Sequence, residues 1–139
     1  MFRRFLLSIA AAASLACGDS GTSPSETVAG TYALVTINGK PLPYTFADTV
    51  GTVISTVTYL QPFSIGIKSD NTARFISTVR FTSAGTTQTI SDTTSATYTL
   101  FNNLLSFRTS DGGTLSGGWN GSDQITISEP PDLLVFRKQ

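Results

Sequence analysis

From Val28 to Lys138 the chain alternates apolar and polar residues with period two, and turn signals break the alternation about every eight to twelve residues. Beyond the N-terminal twenty-odd residues, no window of ten or more carries helical spacing. Branched and aromatic side chains fill the strand positions, and these suit a half-buried pleated surface. A chain of this texture folds as an all-β domain or not at all.

In chain order, Gly30 to Ile37 reads as a first strand, closed by the hairpin pair Asn38-Gly39. Lys40-Pro41-Leu42-Pro43-Tyr44 holds two prolines in three residues, which excludes a central strand and favours an extended lid or edge. Leu42 and Tyr44 are placed to cap one end of a core. Val50 to Leu60 reads as a second strand ending at Gln61-Pro62. In Phe63 to Lys68, residues Phe63, Ile65 and Ile67 face inward. Ala73 to Phe81 is the cleanest alternation: Ala73, Phe75, Val79 and Phe81 on one face, Arg74, Thr78 and Arg80 on the other.

Thr86 to Thr94, with Ile90 as its one large apolar residue, fits an edge strand or a long loop. Ser95 to Leu100 and Leu104 to Thr109 flank the turn Asn102-Asn103. Thr114 to Trp119, Gln124 to Ser128 and Leu133 to Lys138 complete the series, separated by Asp111-Gly112-Gly113, Asn120-Gly121 and Glu129-Pro130-Pro131-Asp132. Sequential hairpins favour an up-and-down meander, and an apolar last strand is best protected by closing onto the first. The expectation is a closed barrel of about eight antiparallel strands, with a β-sandwich as the alternative.

The first residues have a different texture. Met1 to Arg4 is basic, Phe5 to Ala13 is apolar, and Ser14-Leu15-Ala16 precedes the lone cysteine, Cys17. The apolar run is too short to span a bilayer as a helix. The segment resembles a bacterial lipoprotein signal, although the commonest pattern has Leu where Ser14 stands. The resemblance implies cleavage before Cys17, acylation of Cys17 and a membrane partner reached through that lipid. Gly18 after the cysteine, rather than Asp, implies retention at the outer membrane. Residues 1–16 are then a signal peptide, 17–27 a small polar tether (Asp-Ser-Gly-Thr-Ser-Pro-Ser-Glu-Thr after Gly18), and 28–139 the folded domain.

Gly30-Thr31-Tyr32-x-Leu34, Asn38-Gly39-x-x-Leu42-Pro43 and the late Leu134-Val135-Phe136-Arg137 are together similar to the small lipocalin-like domains of bacterial lipoproteins. Tyr32 stands where lipocalins carry Trp. This resemblance implies a ligand-binding interior, with Tyr32, Phe75 and Trp119 as ligand-contacting candidates. Phe63, Phe75, Phe81, Tyr98 and Phe107 are available to line a cavity, and a filled core is the plainer expectation for a barrel of this size. For Trp119 the plainer expectation is a strand-end plug of the barrel.

Composition narrows the chemistry. The chain has no histidine and one cysteine, so a disulfide within the mature domain is excluded and zinc or copper sites lack their usual ligands. Ser and Thr have no imidazole to activate them. Lys40 and Lys68 sit in no nucleophile motif, and the aspartates mostly occupy turn-like positions. Nine basic residues balance nine acidic ones; loss of Arg3 and Arg4 with the leader leaves a net charge of −2 and no clustered basic footprint for nucleic acid. No phosphate loop or dinucleotide fingerprint occurs. No catalytic residue, metal or cofactor is expected. The leading expectation is a lipid-anchored envelope barrel with a non-enzymatic binding or structural role. The alternatives are a carrier of a small apolar ligand, and an enzyme inhibitor acting through Lys40 to Tyr44. The partners expected besides the membrane are a small apolar ligand or an envelope protein.

Overall fold

The computed structural model describes residues 27–50 and 52–139. The segments expected to be a signal peptide (1–16) and a tether (17–27), with Cys17, lie outside the described residues except for Thr27. Among the described residues the chain forms ten strands, β1 (Gly30–Ile37), β2 (Lys40–Pro41), β3 (Tyr44–Val50), β4 (Val53–Ile67), β5 (Thr72–Ser83), β6 (Thr86–Phe101), β7 (Leu104–Thr109), β8 (Thr114–Trp119), β9 (Gln124–Glu129) and β10 (Asp132–Lys138). They make one antiparallel sheet in the order β2-β1-β10-β9-β8-β7-β6-β5-β4-β3. Pairing of β1 with β4, from Gly30↔Ile67 to Ala33↔Ser64, closes it. The result is the expected up-and-down barrel of eight strands, with β2 and β3 as two additional ones. The last strand seals onto the first, Leu34 opposite Phe136.

Turn chemistry sets the meander. Asn38 and Gly39 both have positive φ (52° and 75°), the conformation a two-residue hairpin needs and one that Gly adopts without strain. Asn102 and Asn103 (48° and 65°) do the same between β6 and β7. Asp70 accepts hydrogen bonds from the Thr72 amide and hydroxyl. Asp111 accepts from the Thr109 hydroxyl and the Gly113 amide. These aspartates are turn builders, as their positions suggest. Asp48 and Asp92 differ, since they lie within strands.

Strands β7 to β10 are six or seven residues long, whereas β4, β5 and β6 run 15, 12 and 16. The excess leaves the barrel. Val53–Leu60 of β4, Thr78–Ser83 of β5 and Thr86–Thr93 of β6 continue past the rim and are joined by β3. They form a four-stranded arm, order β3-β4-β5-β6. From Ser77 to Ser83 it rises about 20 Å above the barrel. The segment Thr86 to Thr94, ambiguous between strand and loop on sequence, is strand throughout. Gln61 and Pro62 are not a strand end. They sit in a register shift between Leu60 and Ser64, where β4 passes from arm to barrel. The Gln61 side chain donates to the Leu34 carbonyl at 2.9 Å, at the point where β1 has left β4.

The two ends of the barrel differ. At the floor, where Thr27 enters, the interior is filled by Tyr32, Leu34, Ile65, Ile67, Tyr98, Leu105, Phe107, Trp119 and Ile125. The buried tyrosine hydroxyls are satisfied, Tyr32 donating to the Val28 carbonyl (2.9 Å) and Tyr98 to the Lys68 carbonyl (2.8 Å). Gly117 permits close approach of β8 and β9; a Cβ there would stand 2.7 Å from the Thr126 carbonyl oxygen. At the mouth, Leu42, Tyr44, Tyr59, Phe63, Phe75 and Leu115 pack against the core only in part.

Candidate functional site

Side-chain parity carries the barrel lining onto the arm. On β5 the odd residues run without interruption from Ala73 and Phe75 inside the barrel to Val79 and Phe81 on the arm. On β6 the even residues run from Ala96 down to Ile90 and Gln88. Two residues are added at the shift in β4, and an even number keeps its odd residues on the same face. One face of the arm is therefore an extension of the core that keeps only part of its cover, Val57 being buried and Phe81 and Ile90 exposed. It carries Phe46, Val57, Tyr59, Val79, Phe81 and Ile90; Phe81 is 41% and Ile90 45% exposed.

An aromatic series links this face to the interior. Tyr44, Phe46, Tyr59, Phe63 and Phe136 follow one another with ring centroids 6.1, 5.9, 5.7 and 6.2 Å apart. These separations are those of favourable aromatic pairs. The opposite face of the arm is hydroxylic. Thr45 and Thr58 are linked at 3.0 Å, Thr78 and Ser91 at 3.1 Å, and Thr82 and Thr87 at 3.0 Å. Such cross-strand pairs help hold a sheet whose side chains have little core to bury into.

Below the arm, the mouth opens into a cleft of about 420 Å³. Phe63, Phe75, Leu115, Ile127, Leu134 and Phe136 make its apolar wall. Ser77, Thr94, Thr109 and Thr114 supply hydroxyls, and Asp111 and Glu129 are its charged residues. No Lys or Arg lines it. Asp132 stands beside the same rim, accepting from the Asn38 side-chain amide at 2.7 Å. The negative potential is felt by Tyr59. Burial first, then the Asp132 and Glu129 carboxylates, raise its phenol above the ordinary tyrosine value. Asp111 is held below an ordinary aspartate, chiefly by the Thr109 hydroxyl and then by the Gly113 amide, so it is ionised at neutral pH. The site can therefore take an apolar body and favours a neutral or cationic polar end.

The three ligand-contacting candidates separate. Phe75 lines the cleft and meets Phe107 edge-on at 5.2 Å. Tyr32 is fully buried in the floor. Trp119 is 9% exposed at the same end, its indole N–H donating to the Ser122 carbonyl at 3.2 Å. Lys40 and Pro41 form β2 against β1, and Leu42 and Tyr44 pack on the core edge. Phe63 and Phe75, candidates from sequence to line a cavity, do line the cleft; sequence reasoning did not single out Leu115 and Phe136 as parts of its wall, nor the arm as a separate body. The available signal was strand length: Ala73 to Phe81 alternates further than a six-residue barrel strand requires.

Among the described residues, no group of three or more His, Cys, Asp or Glu is disposed to hold a metal ion. No helix of the described residues is long and apolar enough to cross a membrane. No family model, characterised protein or solved structure is similar enough to this chain to match it.

Proposed function

We propose that this chain is a lipid-anchored protein of the bacterial envelope, lipocalin-like in kind, that acts by binding rather than by catalysis. Its binding site is the barrel mouth together with the apolar face of the arm. Acylated Cys17 holds it to the outer membrane, and its partner is a small apolar ligand with a neutral or cationic end. The observation that carries this reading is polarity along the barrel axis. The chain enters at the filled floor, where Lys138 donates to the Thr27 carbonyl at 3.0 Å. The apolar cleft opens at the other end. A tether leading from the floor to a lipid surface leaves the mouth and arm facing away from it. A cleft of about 420 Å³ is within the range of small-molecule sites, which begin near 300 Å³.

Two measurements test it. In cells, wild-type protein should fractionate with membranes and Cys17→Ser with the soluble phase; a wild type that is equally soluble removes the anchor. In solution, a long-chain alkylamine should bind the Cys17→Ser protein saturably and more tightly than the fatty acid of equal length. Leu115→Arg should abolish that binding, and Glu129→Gln should narrow the preference. Absence of saturable binding by either probe overturns the assignment of the mouth.

A further inference from the structure

The floor end also exposes apolar surface, and its position is informative. The turn between β6 and β7 carries Phe101 at 75% and Leu104 at 57% exposure, with Leu100 beside them. Phe101 and Leu104 are register partners, opposite in parity to buried Tyr98 and Leu105, so both point away from the barrel interior. Across from Leu104 on β8 lies Gly118, which contributes no side chain to cover them. The turn is at the end where the chain enters: the Trp119 amide bonds the Asn103 carbonyl, the Lys138 amide bonds the Asp123 carbonyl, and Lys138 reaches Thr27.

The same outward face becomes cationic further up. Four residues from Phe101, about 13 Å along the strand, Thr97 pairs with Arg108. There a groove of about 570 Å³ is lined by Lys68, Arg74 and Arg108 with the hydroxyls of Thr72, Ser95, Thr97, Thr109 and Ser110. Gly66 opposite Arg74 leaves the groove open on the β4 side. No carboxylate lines it. Asp70, on the neighbouring turn, is engaged by Thr72.

We infer that this face is a second membrane contact, in which Phe101 and Leu104 enter the lipid interface and Lys68, Arg74 and Arg108 meet the phosphates of anionic lipids. The occupant follows from three observations. Apolar side chains at a tip with cations behind them match the depth profile of a lipid surface, where apolar faces sink about 5–10 Å. The groove's charge complements anionic headgroups. The proposed anchor is also close by, since Thr27 follows Cys17 by ten positions, a span of at most about 35 Å. The inference rests on the anchored reading and deepens it, by fixing which side of the domain meets the bilayer. Anchor and face together supply the two signals that stable attachment needs.

The test uses the mature chain, residues 17–139, carrying Cys17→Ser, so that neither the apolar leader nor a lipid assists, and sediments it with vesicles of phosphatidylcholine alone or mixed with phosphatidylglycerol. The parent should prefer the mixed vesicles, and the preference should fade with salt. Phe101→Asp with Leu104→Asp should lower partitioning by roughly tenfold or more on both. Arg74→Gln with Arg108→Gln should level the two compositions. Ile90→Asp on the arm should change nothing. Phe101→Trp keeps the apolar bulk, and the emission of the introduced indole should shift to the blue on vesicles. Unchanged binding by the double aspartate variant, an unshifted emission from the Phe101→Trp variant, or equal loss with Ile90→Asp overturns the inference. Palmitate labelling of the wild type reports the anchor separately: vesicle binding without label would sink the anchor and leave this face standing.

Discussion

The floor of the barrel and the arm are built from the same strands in two environments. On β5, Ala73 is buried in a closed interior, and eight residues later Phe81, on the same face, is 41% exposed. Backbone pairing is equally regular in both halves, running from Thr72↔Thr97 to Ser83↔Thr86. What changes is the second layer. In the barrel, each inward side chain meets those of the opposite wall; on the arm, Val57 is still buried, at 6% exposure, whereas Phe81 and Ile90 are exposed. The sheet ladder therefore persists on pairing and on Thr propensity, while burial, the larger stabilising term, fades across the arm, Val57 and Thr78 staying buried and Phe81 and Ile90 not. An apolar face that folding leaves partly uncovered is the surface on which the proposed binding role rests.

The contrast can be broken most easily in the core. Phe107→Ala, at a position 1% exposed between Phe75 and Tyr98, should cost about 3–5 kcal/mol by denaturant unfolding. A loss below about 1 kcal/mol would mean that the floor is no better packed than the arm. Gly117→Val should cost about 1–3 kcal/mol, because its side chain would press on the Thr126 carbonyl and Ile127. Gly118→Ala, with nothing within 4 Å of the added carbon, is the control.

Smaller effects sharpen the difference. Phe81→Thr should change global stability by no more than about 0.5 kcal/mol. Hydrogen exchange should show the amides of Val79–Ser83 opening well before those of Leu105 and Phe107. Equal protection would mean that arm and barrel open as one unit. The smallest effect concerns pH. Asp111 is depressed in the folded state, so its contribution is complete above the ordinary aspartate range and is lost as pH falls through its lower folded value. The Asp111 carboxyl, followed by NMR, should titrate below an unfolded-chain aspartate, and Thr109→Val should move it back up.

The meander and the inward faces of the barrel strands were legible in the sequence, whereas β3 was not, and β4 reads there as two strands. Alternation at Ala73 to Phe81 and at Leu105 and Phe107 identified inward residues, because a side-chain period of two leaves only two choices and apolarity picks one. Asn38-Gly39 and Asn102-Asn103 marked hairpins, because a positive φ at both positions suits few residue types. The all-β class and the seal of the last strand onto the first followed from the same local signals.

Tertiary structure alone decided where the barrel stops. Alternation reports which face a residue is on, not whether another wall stands opposite, so Phe75 in the cleft and Phe81 on the open arm look alike in sequence. Thr86 to Thr94 gave no clear signal because Thr serves equally as a strand residue and a loop residue, and only pairing with β5 made it strand. The separation of Phe75 from Tyr32 and Trp119 has the same origin. Their positions along the barrel axis depend on register and stagger between strands, which are properties of the closed sheet and not of any one segment.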